Sequence, residues 1–132
     1  MKFLVCYDGS TAATEALKLA QMHAGVWNAE LEVVYVLSRE EPLKHTFIKN
    51  EEDNLANRLK QLLGDGDISY NGRVYVTSLT VGEQLVEYAE SKKVDQVFVG
   101  ITKTSKVGKL LFGSTAQYVI LQSPCPVVTV HP

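Results

Sequence analysis

The chain has 132 residues, of which 45% are hydrophobic and 21% are charged. That length suits one domain over residues 1–132, because two domains would each be too small to bury a core. The ordinary hydrophobic fraction excludes disorder as the dominant state, and a formal net charge of −2 argues against bulk binding to nucleic acids.

Neither a membrane span nor a secretion signal is visible. No stretch approaches the length of about 20 apolar residues that a membrane-spanning helix needs. The apolar run at the N-terminus ends at Asp8 and is too short for the apolar region of a signal peptide. We therefore expect a cytoplasmic protein without a membrane partner. Its cysteines, Cys6 and Cys125, lack the spacing of a metal motif or a redox pair, so we interpret both as small buried side chains.

Apolar runs alternate with segments of helical periodicity along the whole chain. The predicted strands are residues 2–7, 30–37, 73–78, 94–99 and 127–130. The predicted helices are 11–26, a segment around Leu55–Leu63 that ends near Gly64 or Gly66, 81–91 and 113–122. Strands that alternate with helices in this way predict an α/β fold, a five-stranded parallel sheet with helices on both faces.

The sequence also predicts the positions of several polar side chains relative to the helices. Ser10 or Thr11 is expected to cap the first helix. The acidic run 51–53 is expected at the start of the second helix, where it would complement the helix dipole. The three histidines, one on the first helix, one in a polar loop and one near the C-terminus, are interpreted as surface residues: His23, His45 and His131.

Two strand-to-helix junctions carry unusual sequences. Asp-Gly-Ser at 8–10 follows the first strand, and a basic loop over 101–112 joins Gly100 to Gly-Ser-Thr at 113–115. Ligands of parallel sheets bind beyond the carboxyl ends of the strands, and a helix N-terminus favours an anion. The second junction is therefore either a phosphate site or a solvated basic loop with an ordinary serine cap. Asp8 is either a ligand residue or a turn residue.

The common phosphate and catalytic motifs are missing. Gly108-Lys109 is followed by Leu110 where a P-loop has Ser or Thr, and Lys103 stands where a P-loop has its first glycine. No Gly-x-Gly-x-x-Gly follows a strand. Neither a catalytic constellation nor a dedicated metal site can be argued from the order of residues, so neither is predicted.

Several segments, in the right order, resemble the universal stress protein family over essentially the whole chain. Residues 4–10, Leu-Val-Cys-Tyr-Asp-Gly-Ser, are similar to the family's opening strand and the Asp-Gly-Ser that ends it. Residues 82–89 and 95–100 resemble its third helix and fourth strand. Residues 113–114 and 124–128 resemble its closing segment.

The family's nucleotide motif is Gly, two residues, Gly, nine residues, and then Gly-Ser or Gly-Thr. Here Gly100, Gly113 and Ser114 match with the spacing intact, but Lys103 replaces the second glycine. The family includes members that bind ATP and members that do not. Lys103 therefore either adds a charge to the phosphates or fills the site.

The resemblance implies the strand order 3-2-1-4-5 of an adenine nucleotide alpha hydrolase-like fold. It also implies a pocket for ATP or AMP, with Mg²⁺ or Mn²⁺ as an accompanying ion, in which adenine lies near the main chain of Val36 and Asp8 faces the adenosine. The implied cofactor-binding residues are Asp8, Ser10, Val36, Gly100, Lys103, Gly113, Ser114 and Thr115. A homodimer through Val127 to Val130 is implied as well, which would cover an exposed sheet edge.

Three functions follow from this resemblance. The first is a dimeric, ATP-binding stress-response sensor with little or no catalysis. Any ATP hydrolysis is expected to be slow, because no general base or nucleophile is evident beside the implied phosphate site. The alternative is a dimeric interaction module of the same family whose nucleotide site is altered by Lys103. The third is an enzyme of the related fold that acts on the α-phosphate.

Overall fold

A computed structural model describes residues 1–101, the main chain of 103–104 and 110–111, and residues 113–132. The strands are β1 (Lys2–Cys6), β2 (Glu30–Ser38), β3 (Tyr70–Thr77), β4 (Gln96–Gly100), β5 (Lys103–Thr104), β6 (Leu110–Leu111) and β7 (Val127–Val130). The helices are α1 (Thr11–Trp27), α2 (His45–Leu63), α3 (Val81–Ser91) and α4 (Gly113–Gln122).

Five of the strands form one parallel sheet in the order β3-β2-β1-β4-β7. Because β7 is the fifth strand of this sheet along the chain, the predicted order 3-2-1-4-5 is confirmed. The central strand β1 is buried on both faces, which explains its continuous apolar run. The strand order reverses between β1 and β4, and in such sheets the crevice for a ligand lies at that reversal.

The sheet separates two hydrophobic cores. On one face Phe3 and Val5 pack with alanines of α1 and leucines of α2, including Ala16 and Leu59. The small side chains of α1 allow this helix to lie close to the sheet. On the other face Leu4 packs with α3 and α4, so the helices cover both faces as the alternating pattern predicted.

The second helix begins earlier than predicted. α2 starts at His45, so this residue opens a helix instead of lying in a loop, and the acidic run 51–53 lies beyond the first turn instead of at the start. The first half of α2 buries no side chain fully, and Leu55 is its first buried residue. An apolar pattern therefore could not locate the start of this helix. Its end at Gly64, which has φ of 69°, agrees with the prediction.

Two further differences concern strands and one concerns a cysteine. β3 begins at Tyr70, before the predicted start at residue 73, because main-chain pairing with β2 extends over residues with no apolar pattern. Within the predicted loop 101–112, β5 and β6 form a short antiparallel ribbon. Ile101 is described as well, and the other residues of that loop, with Lys106 and Lys109, lie outside the described residues. Cys6 is buried as predicted, whereas Cys125 is only half-buried.

The lengths and compositions of the helices also bear on membrane insertion. None of those in the described part of the chain is long and apolar enough to cross a bilayer.

Candidate functional site

A pocket of about 330 Å³ opens at the carboxyl edge of the sheet, beside the first turns of α1, α3 and α4. The residues that line it are Cys6, Tyr7, Asp8, Ser10, Ala13, Val34, Val36, Val81, Leu85, Val99, Gly100, Gly113, Ser114, Thr115 and Ala116. Seven of the eight implied cofactor-binding residues are in this set. The eighth is Lys103, whose main chain belongs to β5 and whose side chain lies outside the described residues.

The junction between β1 and α1 forms one wall of the pocket. Oδ1 of Asp8 accepts the main-chain N–H of Ser10 at 2.9 Å, so the carboxylate stabilises the turn. Gly9 between them has φ of 82°, a left-handed conformation that favours glycine. Ser10, and not Thr11, is the N-cap of α1, since its Oγ accepts the N–H of Ala13 at 3.1 Å. The turn role of Asp8 is thus observed, and its exposed carboxylate also lines the pocket.

The end of β2 presents main-chain groups to the pocket. Pairing between β1 and β2 ends at Cys6 and Val34, after which the N–H of Tyr7 donates to the carbonyl of Val34 at 3.0 Å. In a parallel ladder, the N–H and C=O of alternate residues face the same neighbouring strand. The N–H and C=O of Val36 therefore face the space beyond the end of β1, where a donor and an acceptor are available to a ligand.

The opposite wall is the first turn of α4. Gly113 has φ of 73°, which allows the chain to enter the helix sharply. Ser114 is exposed and Thr115 is half-buried, and both line the pocket. The first N–H groups of a helix have no partner inside the helix, and they lie at the positive end of its dipole. This wall is chemically suited to an anion.

The floor of the pocket is mostly apolar and was not predicted. It includes Cys6, Val34, Leu85 and Val99. Burial, with a smaller contribution from the Asp8 carboxylate, raises the pKa of the Cys6 thiol to about 12, so the thiol is neutral at pH 7. Cys6 and Val99 could have been found from the sequence, since each is among the last residues of a central strand. Leu85 could not, because only the crossover of α3 brings it to the site.

Neither a metal centre nor a cluster of catalytic side chains is present among the described residues of the pocket. In this part of the chain, no three His, Cys, Asp or Glu side chains lie together as a metal centre requires. His23 is half-buried and packs its ring at 5.3 Å, centroid to centroid, from that of Phe98, while His45 and His131 are exposed. Asp8 is the one carboxylate among the described residues that line the pocket.

The chain is similar to a known protein family and to several known proteins. The model of the universal stress protein family matches residues 1–131. The chain belongs to the universal stress protein family. Among its relatives, a universal stress protein of Methanocaldococcus jannaschii is 27% identical, with 98% of this chain and 81% of the relative aligned. A universal stress protein of Thermus aquaticus is 28% identical, with 97% and 96% aligned.

Solved structures of the family share the fold. A universal stress protein from Archaeoglobus fulgidus superposes with a TM-score of 0.82 at 25% identity, covering 98% of both chains. A structure of the Archaeoglobus fulgidus protein in complex with dAMP superposes with a TM-score of 0.79 at 21% identity, covering 98% of this chain and 97% of the other. Family members have also been solved with cAMP and, in Arabidopsis thaliana, with AMP.

Proposed function

We propose that this universal stress protein binds an adenine nucleotide in the pocket at the carboxyl edge of its sheet and acts as a regulatory sensor. The observation that carries the proposal is the convergence of Asp8, Val36 and the first turn of α4 on one pocket. Residues distant in sequence thereby offer three groups to a single ligand: a main-chain donor and acceptor for a base, a carboxylate, and an anion site. The dAMP, cAMP and AMP complexes of other family members support the same class of ligand.

The chemistry of the walls orients the nucleotide. Adenine lies on the apolar floor, with its edge against the main-chain N–H and C=O of Val36. The ribose lies beside the carboxylate of Asp8 and the hydroxyl of Ser10, which offer partners for its hydroxyl groups. The phosphates lie at the first turn of α4, where free N–H groups and the helix dipole stabilise negative charge.

We propose ATP or AMP as the ligand, with Mg²⁺ or Mn²⁺ entering together with the triphosphate. Magnesium is commonly held by one or two carboxylates together with phosphate oxygens and water. Asp8 provides one carboxylate at the pocket wall, so the lining residues fit an ion that is bound mainly by the nucleotide. Lys103 would add its charge to the phosphates in place of the motif glycine.

The pocket is better suited to binding than to rapid catalysis. Its described side chains include no histidine, glutamate or lysine that could serve as a general base. The Cys6 thiol stays protonated at neutral pH, and one oxygen of Asp8 is engaged by Ser10. Any hydrolysis of ATP is therefore expected to be slow.

We further propose that the protein is a cytoplasmic homodimer that pairs through β7. Among the described residues, β7 pairs with β4 alone, so its other edge presents main-chain N–H and C=O groups. An exposed edge of this kind favours pairing with another strand. A second copy that pairs through Val127–Val130 would cover both edges at once.

The test of the proposed function is a calorimetric titration with AMP and with Mg-ATP. We expect saturable binding near one nucleotide per chain. Asp8→Asn keeps an oxygen for the Ser10 N–H but removes the charge beside the ribose, so we expect about tenfold weaker binding. Asp95→Asn is the matched control, because Asp95 is also exposed and its Oδ2 accepts the N–H of Lys2 at 2.8 Å, at the opposite edge of the sheet.

Two results would contradict the proposal: no binding of either nucleotide up to millimolar concentration, or an equal loss in both variants. The departure at Lys103 favours the interaction module as the second candidate. The variant Lys103→Gly distinguishes the nucleotide-binding sensor from the interaction module. If Lys103 contacts phosphate, the variant binds ATP more weakly than the natural chain, whereas if Lys103 fills the site, the variant gains ATP binding.

A further inference from the structure

Gly100, the first glycine of the nucleotide motif, is packed against the first turn of α1. A Cβ added to Gly100 would lie 2.5 Å from the main-chain carbonyl carbon of Ala12, and 2.7 Å from its carbonyl oxygen and its Cβ. A clash with main-chain atoms cannot be relieved by rotating a side chain. Any other residue at position 100 must therefore push α1 away from the end of β4.

The other two glycines of the pocket walls have a different role. Gly9 and Gly113 have φ of 82° and 73°, and a Cβ on either would meet no described atom within 4 Å. These two glycines are needed for their backbone conformation. Gly100 has no positive φ, so its requirement for glycine comes from close approach alone.

The contact with Gly100 lies at the start of a short chain of hydrogen bonds that leads to the pocket wall. Ala12 is 2% exposed and is the second residue of α1. Its neighbour Ala13 donates its N–H to Oγ of Ser10 at 3.1 Å, and the N–H of Ser10 donates to Oδ1 of Asp8 at 2.9 Å. A shift of Ala12 would therefore move Ser10 and Asp8 together.

The strand side of the contact is also fixed. Gly100 pairs with Val130 of β7, and the next residue, Ile101, donates its N–H to the carbonyl of Val130 at 2.8 Å. The end of β4 is thus held from its far side, and α1 is the element that would yield to a larger residue at position 100.

We propose that Ala12 is a positioning residue of the nucleotide site, and that position 100 must be glycine because only glycine admits Ala12 at this distance. The inference rests on the proposed function. It assigns the effect of Gly100 to the adenosine end of the ligand, where Asp8 and Ser10 lie, although Gly100 belongs to a motif associated with phosphate.

The test compares Gly100→Ala with Gly113→Ala, the same added methyl group at two glycines of the pocket. The ligands are AMP and adenosine, which lacks phosphate. We expect Gly100→Ala to weaken the binding of AMP and the binding of adenosine by a similar factor, about tenfold or more. The reason is that the side chains of a binding site must be held within about 0.5 Å of their positions. We expect Gly113→Ala to weaken the binding of AMP but to leave the affinity for adenosine within about twofold of its original value, because the first turn of α4 faces the phosphates.

Amide resonances of the ligand-free proteins give a second readout that does not depend on binding. We expect Gly100→Ala to move the resonances of Ser10, Ala13 and Thr14, whose N–H groups take part in the turn and cap. Gly113→Ala should leave these three resonances at their natural positions.

A second pair of variants serves if Gly100→Ala does not fold. Ala12→Val and Ala16→Val add the same bulk at two buried positions on α1, neither of which lines the pocket, and it is Ala12 that lies against Gly100. Both should lower the melting temperature by a similar amount. Only Ala12→Val should weaken the binding of adenosine and shift the amide resonance of Ser10.

Two results would overturn the inference. One is a Gly100→Ala variant that loses AMP affinity but keeps adenosine affinity, since Gly100 would then act at the phosphates. The other is unchanged resonances of Ser10 and Ala13 in that variant. Failure of the natural chain to bind AMP would overturn the proposed function instead, and it would be seen before any variant is compared.

Discussion

The carboxylate of Glu32 lies inside the protein beside the partly exposed guanidinium of Arg73. Oε2 of Glu32 is 4.0 Å from Nε of Arg73, and the two side chains are 7% and 48% exposed. Neither this oxygen nor the hydroxyl of Tyr88 has a hydrogen-bond partner among the described residues. Burial, and then the charge of Glu32, raises the pKa of Tyr88. A carboxylate in this position is costly, because its partner is too distant for a hydrogen bond.

We predict opposite effects from removing the two ends of this ion pair. Arg73→Met leaves a buried carboxylate without a cation and should lower the free energy of unfolding by about 1–3 kcal/mol. Glu32→Met leaves a guanidinium that water can reach, so the free energy of unfolding should stay within about 1 kcal/mol or rise. Urea unfolding measures both. Equal losses in the two variants would show that the pair itself stabilises the fold.

The N-caps of α1 and α3 provide a second matched pair. Oγ of Ser10 accepts the N–H of Ala13, and Oγ1 of Thr80 accepts the N–H of Glu83 at 3.2 Å. Ser10→Ala and Thr80→Ala should each lower the free energy of unfolding by about 1 kcal/mol. Only Ser10→Ala should also weaken AMP binding, since Ser10 lines the pocket. Equal AMP affinity in the two variants would show that Ser10 does not contact the nucleotide.

Lys93 should be replaceable with a gain in stability. It follows the end of α3 with φ of 52°, and the adjacent N–H of Val94 donates to the carbonyl of Ala89 at 3.1 Å. A left-handed residue at this place in a helix end is usually glycine. Lys93→Gly should raise the free energy of unfolding by about 0.5–1 kcal/mol in thermal or urea unfolding. Lys92→Gly, at a residue with φ of −91°, is the control and should lower it.

Alkaline pH should destabilise the fold through Cys6. Its thiol has a pKa of about 12 in the folded protein against 9.0 as a free group, so ionisation above pH 9 favours the unfolded chain. The contribution of the thiol is complete below pH 9 and is lost as the pH rises toward 12. Between these values the slope attributable to Cys6 is about 1.4 kcal/mol per pH unit. Urea unfolding from pH 8 to 11 should show this slope reduced in Cys6→Ala.

Cys125→Ala is the control for the alkaline slope. Burial also raises the pKa of Cys125, but this cysteine is only half-buried, so its removal should change the slope less. Equal slopes in the natural chain and Cys6→Ala would mean that the pocket floor admits water to the thiol.

The proposed dimer predicts a specific effect of proline at the sheet edge. Val130 directs its main-chain groups toward β4, where its carbonyl accepts from Ile101, so those of Thr129 face the free edge. Thr129→Pro removes an outward N–H and should convert the dimer to a monomer in sedimentation measurements. Thr129→Val is the control and should remain a dimer. A dimeric Thr129→Pro protein would place the contact between subunits elsewhere.

The sequence by itself determined the elements whose local pattern is strong. The apolar run of β1 and a hydroxyl cap of α1, at Ser10 or Thr11, could be predicted because neighbouring residues decide them, and the structure selects Ser10. The family resemblance implied eight cofactor-binding residues, and in the folded chain seven of them line one pocket. The start of α2 could not be predicted, since its first half buries no side chain and shows no apolar stripe.

Only the tertiary structure decided which atoms meet across the chain. The Gly100–Ala12 contact joins residues far apart in sequence, and in the sequence Gly100 shows only as a motif residue. Leu85 reaches the pocket floor through the crossover of α3, and Glu32 is buried because α3 covers its part of β2. The local sequence pattern predicts secondary structure because turns, caps and strand or helix preferences depend on interactions between neighbouring residues. Close approach and burial depend on how the helices pack on the sheet.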